Sequence, residues 1–384
     1  MNNYHDIVAC VPVTVPYVRR SEHGAAWWLG SALRELLHES GLAKRDIDGL
    51  CLSSFTLAPD GPAPFVQYVG LSPRFQEFLP FGGACGVLAL RRAARAVQAG
   101  DADIVACIAG DTNGPDTLHD LLAQFSSFSR DNVWPYGAGG PNASFALLTE
   151  HAMRRTGATR EDFGKLCIAQ REWARRNPLA LFREPLTMEA YLAARPIASP
   201  LHLFDCVMPC AGADGFLVMS RARAASLGLR GVRILSTIDR HNAFADDAIQ
   251  WRGGWAMDCD ALWQQAAIGP TDVDLVQTYD DYPVISLLQF EDLGFCFKDA
   301  GAEFIRSHTF GPGGDMPHNT GGGQLSCGQA GAAGGFLGLL EAVRQLTGTA
   351  GDRTVPNAYH ALVSGFGMIN YDRGLCIAAA VLAA

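Results

Sequence analysis

Apolar residues along the chain form short continuous runs that alternate with stripes at helical spacing. Residues 7–13 are an apolar run of strand length, and residues 25–40 carry leucines on one helical stripe. Residues 87–99 predict a helix that ends at Gly100, and residues 103–110 follow as a continuous apolar strand. Strands that are apolar throughout are typical of sheets covered on both faces. The order of elements therefore predicts an α/β protein.

The second half of the chain repeats the pattern of the first. The sequence DIDG at 46–49 follows a predicted helix and a Gly turn, and DVDL at 272–275 follows a helix and a Gly-Pro turn. Residues 86–97 and 335–346 also match, and each predicted helix leads through a Gly to an apolar strand. We infer an internal duplication of a β-α-β-α-β unit, with a mostly parallel sheet in each half and helices between the halves.

A long irregular stretch interrupts the first half. Residues 111–215 carry Gly, Asn and Pro clusters and two helical patterns, and we interpret them as an insertion. The expected organisation is an N-terminal half over residues 1–230, with an inserted loop domain at about 111–215. The C-terminal half is expected over residues 231–384 and carries a Gly-rich loop.

Composition narrows the possible classes of function. The net charge of −9 argues against a nucleic-acid-binding surface, and no apolar stretch is long enough to predict a membrane span. The eleven cysteines are scattered, odd in number and without a Cys-x-x-Cys pair. This usage favours a reducing cytoplasm and argues against a metal site.

The stretch 314–336 is dense in glycine and in polar side chains. It holds His318, Asn319, Gln324 and Gln329, and it leads into the helix predicted at 336–346. Glycine lets a backbone or a ligand approach closely, and helix N-terminal amides can stabilise a developing oxyanion. The stretch therefore predicts a tight loop around a small reaction centre. The alternative is a buried loop where helices pack closely against a sheet.

Several motifs resemble those of one superfamily across nearly the whole chain. They are GLAKRDIDGL at 41–50, ALRRAARAVQAGDAD at 89–103, YDDY at 279–282, LQFEDLGFC at 288–296, HNTGGGQLS at 318–326 and GFG at 365–367. Together with the duplication they resemble the thiolase superfamily, and within it the thiolase-like lipid-transfer proteins related to sterol carrier protein X. The resemblance implies the thiolase fold, in which two pseudo-symmetric halves form five layers in the order α-β-α-β-α.

The residues that carry thiolase chemistry are replaced in this chain. Thiolases acylate a Cys before the central helix, where the family reads CATGxxAL; here GACGVLAL at 83–90 puts Gly83 at that position and Cys85 two residues later. Gln329 stands where the family has an activating His, and the C-terminal turn lacks the second Cys. Tyr279 stands where many relatives have His, as in aldolase-type relatives that use tyrosines as acids and bases.

Five residues are candidates for catalysis, and most have a structural alternative. Cys85 opens a helix and is a candidate nucleophile, or else a small core residue. His318 is a candidate base or oxyanion donor, or else a loop-stabilising side chain. Asn319 and Gln329 can donate hydrogen bonds to an oxyanion or hold a water, although neither amide titrates. Tyr279 can exchange protons with the substrate, with a buried structural tyrosine as the alternative.

The expected function is an enzyme that makes or breaks a C–C bond next to the thioester of an acyl-CoA or acyl carrier, with acyl transfer through Cys85 favoured. One alternative is a retro-aldol reaction through Tyr279, and another is a non-catalytic thiolase-fold subunit of a larger complex. Coenzyme A enters as a thioester substrate, with no covalently bound cofactor. The residues expected to bind it are Gly322, Gly323, Ser364 and Gly365. The resemblance also implies a homodimer and a small zinc-ribbon/OB-fold partner subunit.

Overall fold

The computed structural model describes residues 4, 6–114, 126–138, 140–370 and 373–384. The strands are β1 (Ile7–Val18), β2 (Gly49–Ser53), β3 (Phe75–Phe78), β4 (Ile104–Thr112), β5 (Pro196–Ala198), β6 (Leu201–His202), β7 (Ala211–Ser220), β8 (Gly231–His241), β9 (Leu275–Gln277), β10 (His360–Asn370) and β11 (Arg373–Ala383). The helices are α1 (Ala25–Ser40), α2 (Pro62–Val69), α3 (Cys85–Ala99), α4 (Ser127–Val133), α5 (Pro141–Thr156), α6 (Arg160–Arg175), α7 (Met188–Leu192), α8 (Arg221–Ser226), α9 (Trp255–Ala266), α10 (Pro283–Asp292), α11 (Gly301–Ser307), α12 (Gly323–Cys327) and α13 (Leu337–Thr347).

The strand order confirms the two pseudo-symmetric halves. The first half contains the order β2-β4-β7-β1, and the second half repeats it as β9-β10-β11-β8. Directions repeat as well: β2 and β4 are parallel, as are β9 and β10, whereas the other neighbouring pairs in each series are antiparallel. The expectation of mostly parallel sheets is therefore wrong. Both faces of these antiparallel strands are buried, so they share the continuous apolar pattern that is typical of parallel strands.

A short ladder joins the two halves. Strands β1 and β8 pair antiparallel over three positions, from Val8 opposite Arg233 to Cys10 opposite Gly231. The strands of the two halves consequently form one nine-stranded sheet in the order β3-β2-β4-β7-β1-β8-β11-β10-β9.

Three hydrophobic cores hold five layers of structure together, because the central core surrounds the middle layer of helices. In β4, Ile104 and Ile108 pack in the outer core that contains α1, whereas Val105 and Cys107 face the central core that contains α3 and α13. The strands of the second half show the same alternation between the central core and a second outer core, which contains α9 and α10. This arrangement confirms the predicted α-β-α-β-α layers.

The matched acidic motifs have the same structural role in each half. Oδ1 of Asp48, just before β2, accepts hydrogen bonds from the backbone N–H groups of Asp103 and Ile104 at the start of β4. Oδ2 of Asp274, just before β9, accepts a hydrogen bond from the N–H of His360 at the start of β10. Each carboxylate thus fixes the start of the neighbouring parallel strand.

The first strand is longer than the sequence predicts. Pro12 and Pro16 favour a loop, but β1 runs through both residues. Its register with β7 shifts between Cys10 and Val13, and Val11 has a φ of 53°. A bulge of this kind accommodates a proline, which has no N–H to give to a ladder.

Candidate active site

A cavity of about 530 Å³ is lined by residues of both halves and of the stretch between β4 and β7. Gly83 comes from the first half, and Tyr279, Gln329 and Phe366 come from the second. Much of the remaining wall is apolar, with Phe182, Leu203, Phe204, Val207 and Leu325 among its side chains. Such a cavity suits a ligand that is largely hydrophobic and has a few polar groups.

Tyr279 is the polar centre of this wall. Its hydroxyl accepts a hydrogen bond from Nε2 of Gln329 at 3.2 Å and donates a long one to Oδ2 of Asp281 at 3.4 Å. Nε2 of Gln329 also lies 3.3 Å from Oε1 of Gln324, to which it donates. The amide of Gln329 is thereby held in place and directs its N–H at the tyrosine oxygen.

The electrostatics of this group favour protonated forms. Burial and the nearby Asp281 carboxylate raise the pKa of Tyr279, so the tyrosine is a proton donor at neutral pH. Burial and the negative charge of Asp280 raise the pKa of Asp281 well above its usual range. For Asp280 itself, burial raises the pKa to about 7, although the N–H groups of Gln324 and Leu325 oppose the shift. A tyrosinate base, which requires a strongly lowered pKa, is not supported here.

Gly83 has no room for a side chain. A Cβ at this position would lie 1.9 Å from Cε2 of Tyr279 and 2.3 Å from the carbonyl oxygen of Phe366. The ring of Tyr279 therefore fills the space that a side chain at position 83 would need. This is the position at which the sequence resemblance puts the thiolase nucleophile.

Cys85 lies in the central core. It is the first residue of α3, is fully buried, and its Sγ donates to the carbonyl oxygen of Ala332 at 3.1 Å. Burial raises the pKa of the thiol, which outweighs the lowering expected at a helix N-terminus. Cys85 is near enough to Tyr279 to affect the pKa of that residue, but it does not line the cavity.

His318 is also removed from the cavity. Its ring packs against Phe290 and Phe310, and Nε2 lies 2.7 Å from Oγ1 of Thr278. Burial lowers the pKa of His318 to about 3, so the imidazole is neutral. The position of His318 does not fit direct contact with a substrate in the cavity.

A narrow inner cleft lies on the other side of Tyr279. Its volume of about 30 Å³ gives room for about two waters, and Tyr279, Asp280, Asn319, Gly323 and Ser364 are among the residues that line it. The other two glycines predicted to bind coenzyme A contact protein instead: Gly322 packs on Ala174, and Gly365 on Ala84. Of the nine predicted site residues, Tyr279 and Gln329 line the cavity.

Two further polar side chains, those of Asp281 and Arg171, lie at the cavity. Asp281 belongs to the quoted YDDY motif, where successive side chains in an extended segment point to opposite sides. Asp280 lines the cleft and Asp281 the cavity, a signal that the motif already carried. Arg171 is buried at the cavity and donates to Oγ of Ser326 and the carbonyl oxygen of Glu184.

Two further observations bear on ligands. Within the described ranges, no group of three or more His, Cys, Asp or Glu side chains could hold a metal ion. Arg19 and Arg195 line the cavity together with Arg171, and guanidinium groups suit the phosphates of coenzyme A.

No helix among the described residues is long and apolar enough to cross a membrane.

Comparison with known proteins identifies the family. The family described as "Thiolase C-terminal domain-like" matches residues 252–379. The 17-hydroxy-3-oxo-4-pregnene-20-carboxyl-CoA lyase of Mycobacterium tuberculosis is 32% identical over 353 residues, which cover 87% of this chain and 89% of the relative. The chain belongs to the thiolase superfamily, in its thiolase-like lipid-transfer branch.

Other members are similar over most of their length. The steroid side-chain-cleaving aldolase of Thermomonospora curvata is 29% identical, over 83% of this chain and 84% of the relative. The solved structure of an "Ltp2-ChsH2(DUF35) aldolase" superposes with a TM-score of 0.84 at 25% identity, over 99% of this chain and 98% of that chain. Thiolase-superfamily members with lyase or aldolase names are thus among the proteins similar to this chain.

Proposed function

We propose that this protein is an acyl-CoA lyase that cleaves a C–C bond by a retro-aldol reaction, with Tyr279 as its acid. The observation that supports this proposal most directly is the packing of Tyr279 against Gly83. Gly83 leaves no space for a nucleophilic side chain, and the Tyr279 ring occupies that space at the cavity wall. The sequence favours acyl transfer through Cys85, but the buried, protonated thiol of Cys85 gives that reaction no support.

The substrate would carry a hydroxyl group on the carbon β to its thioester carbonyl. When that hydroxyl loses its proton, the bond between the α and β carbons breaks. The β carbon becomes the carbonyl carbon of a ketone or aldehyde. The electron pair of the broken bond stays with the α carbon and forms an enolate of the acyl-CoA. A proton donor then protonates the α carbon, and the protonated Tyr279 hydroxyl at the cavity fits this role. The apolar walls would hold the carbonyl product.

The proposal includes a partner and a location. The name of the Ltp2-ChsH2(DUF35) aldolase joins two components, and by analogy a small partner subunit would complete the acyl-CoA site of this chain. A homodimer and a cytoplasmic location, which the scattered thiols favour, belong to the same proposal.

The test is an assay with 17-hydroxy-3-oxo-4-pregnene-20-carboxyl-CoA, the compound in the name of the mycobacterial relative. The tagged chain is assayed alone and as the complex that copurifies with it. Release of a steroid ketone together with a shortened acyl-CoA supports the proposal. A covalent acyl group on Cys85 after incubation with a β-ketoacyl-CoA, detected by mass spectrometry, would overturn it in favour of acyl transfer. Binding of β-hydroxyacyl-CoA compounds without turnover would instead indicate a non-catalytic subunit.

A further inference from the structure

We propose that Asp281 is the general base of this reaction and that its hydrogen bond to Tyr279 returns the proton to the acid. The inference rests on the proposed function, because it assigns a role within the same C–C cleavage. No feature of the sequence resemblance assigns a role to this residue.

The position of Asp281 is the first argument. Its side chain lines the substrate cavity next to Tyr279 and is 8% exposed. Oδ2 accepts from the Tyr279 hydroxyl, whereas Oδ1 is buried without a hydrogen-bond partner among the described residues. A buried carboxylate oxygen with no partner is costly. A substrate hydroxyl donating to Oδ1 would satisfy it once the carboxyl group turns toward the cavity that Asp281 lines.

The second argument is the direction of the Tyr279 proton. A hydroxyl has one proton to donate, and its oxygen can accept from another donor. Gln329 donates to the oxygen of Tyr279, so the tyrosine proton is left to point toward Asp281 or a ligand. Gln329 cannot titrate, which leaves Asp281 as the carboxylate beside Tyr279 on the cavity side.

The third argument is the basicity of Asp281. The titratable groups that face it are Asp280, Tyr279 and Tyr282 on its own segment, and Cys206 from the stretch before β7. None of these four is a cation that would hold the carboxylate at an ordinary pKa. Burial and Asp280 together raise the pKa of Asp281, so the carboxylate is a stronger base than an exposed aspartate whenever it is ionised.

The resulting cycle balances without a proton from outside. In the fraction of the protein in which Asp281 is ionised, its carboxylate takes the proton of the β-hydroxyl through Oδ1, and the C–C bond breaks to give the carbonyl product and the enolate. Tyr279 gives its proton to the α carbon. Rotation of the protonated Asp281 carboxyl group then turns its O–H toward the Tyr279 oxygen, the proton passes to that oxygen, and both residues return to their starting states. In each cycle, Asp281 thus gains the hydroxyl proton of the substrate, and the α carbon of the product receives the proton of Tyr279.

The experiment compares Asp281→Asn with Asp205→Asn. Asp205 is a matched control because it is also buried and accepts a hydrogen bond from a tyrosine, Tyr191, but it lies outside the cavity. We expect Asp281→Asn to lower kcat about 10²- to 10⁴-fold with little change in KM, and Asp205→Asn to keep kcat within about twofold. We expect kcat/KM of the wild type to rise with pH as Asp281 ionises, and this rise to be absent in Asp281→Asn. Formate should restore part of the activity of Asp281→Ala.

The outcomes separate the two proposals. If the wild type cleaves the hydroxyacyl-CoA and Asp281→Asn keeps its kcat or its pH dependence, the base lies elsewhere and the inference is wrong, while the retro-aldol function stands. If the wild-type complex cleaves no β-hydroxyacyl-CoA, the proposed function itself is wrong. Thermal melting of each variant shows whether a loss of activity reflects unfolding.

Discussion

Cys85 and Tyr279 are two candidate reaction centres that flank the start of the central helix α3, and their surroundings differ sharply. The thiol of Cys85 is enclosed in the central core, between the strands of the two halves, and donates to a backbone carbonyl. The hydroxyl of Tyr279 faces a cavity and has a carboxylate and an amide as neighbours. Both residues are buried, but a ligand can reach only the second.

The difference shows that a position at a helix N-terminus is not enough to make a thiol reactive. Helix amides stabilise a thiolate when solvent or a substrate also reaches the sulfur, whereas full desolvation favours the thiol. The absence of a side chain at Gly83 allows the Tyr279 ring to come up against α3. With Gly at position 83, the candidate catalytic group is Tyr279 of the second half and not a side chain of the first half.

The largest expected effect comes from Tyr279→Phe. Removing the hydroxyl removes the proposed proton donor, and we expect kcat to fall about 10²- to 10⁴-fold while the fold is kept. Tyr359→Phe is the control, because the Tyr359 hydroxyl lies at the surface and accepts from Arg233. Steady-state kinetics on both variants measure the effect. Unchanged turnover in Tyr279→Phe would remove Tyr279 from the mechanism.

The next effect concerns the space at position 83. Gly83→Ala places a Cβ against the Tyr279 ring and the Phe366 carbonyl, so we expect a loss of stability of about 1–3 kcal/mol and a displaced tyrosine. Urea denaturation measures the loss. Gly24→Ala is the control, since no atom lies within 4 Å of a Cβ there. Equal stability of the two variants would contradict the tight contact between Gly83 and Tyr279.

A smaller effect is the pH dependence of stability that comes from His318, which is buried outside the cavity. His318 is protonated in the unfolded chain below its usual pKa of about 6.5, but in the folded chain only near pH 3. The unfolded state thus binds more protons in this window, and the contribution of His318 to stability is lost as the pH falls. At pH 5 the loss is about 2 kcal/mol, so His318→Gln should lose about 2 kcal/mol less than the wild type between pH 7 and pH 5.

Denaturant titrations at both pH values compare the two proteins. The glutamine amide can keep a hydrogen bond to Thr278 without titrating, which makes the comparison specific for charge. The same loss of stability in both proteins would mean that His318 takes up a proton in the folded state at pH 5.

The smallest expected effect is that of Cys85→Ala. The buried thiol makes one weak hydrogen bond, so we expect a stability loss of about 1 kcal/mol and no more than a twofold change in kcat. Alkylation by iodoacetamide, followed by mass spectrometry, should label partly exposed Cys206, Cys259 or Cys296 before Cys85. Preferential labelling of Cys85 would show that reagents reach its thiol and would contradict its proposed enclosure in the core.

Much of the fold could be predicted from the sequence because duplication and patterning are local signals. The DIDG and DVDL segments predict matched strand starts, and Asp48 and Asp274 do share that role. Strand direction could not be predicted, since strands buried on both faces look alike whether they are parallel or antiparallel. The full length of β1 was hidden by Pro12 and Pro16, which only a bulge reconciles with a strand.

The candidate site was less accessible to sequence reasoning. Tyr279 and Gln329 do lie at the cavity, as their positions in motifs near the Gly-rich loop indicate. Cys85, His318 and Asn319 come from equally suggestive motifs, yet they face the core or the inner cleft. Which side of a loop a polar side chain faces depends on long-range packing, such as that of Phe290 and Phe310 around His318.

The ladder between β1 and β8 has a consequence for how the molecule comes apart. The backbone hydrogen bonds of one half continue into the other, and strands of both halves contribute side chains to the central core. Separating the halves would break that ladder and expose both sides of the shared core to water. The protein should therefore melt in a single cooperative step, and a fragment holding one half would be left with an unpaired strand edge and half a core.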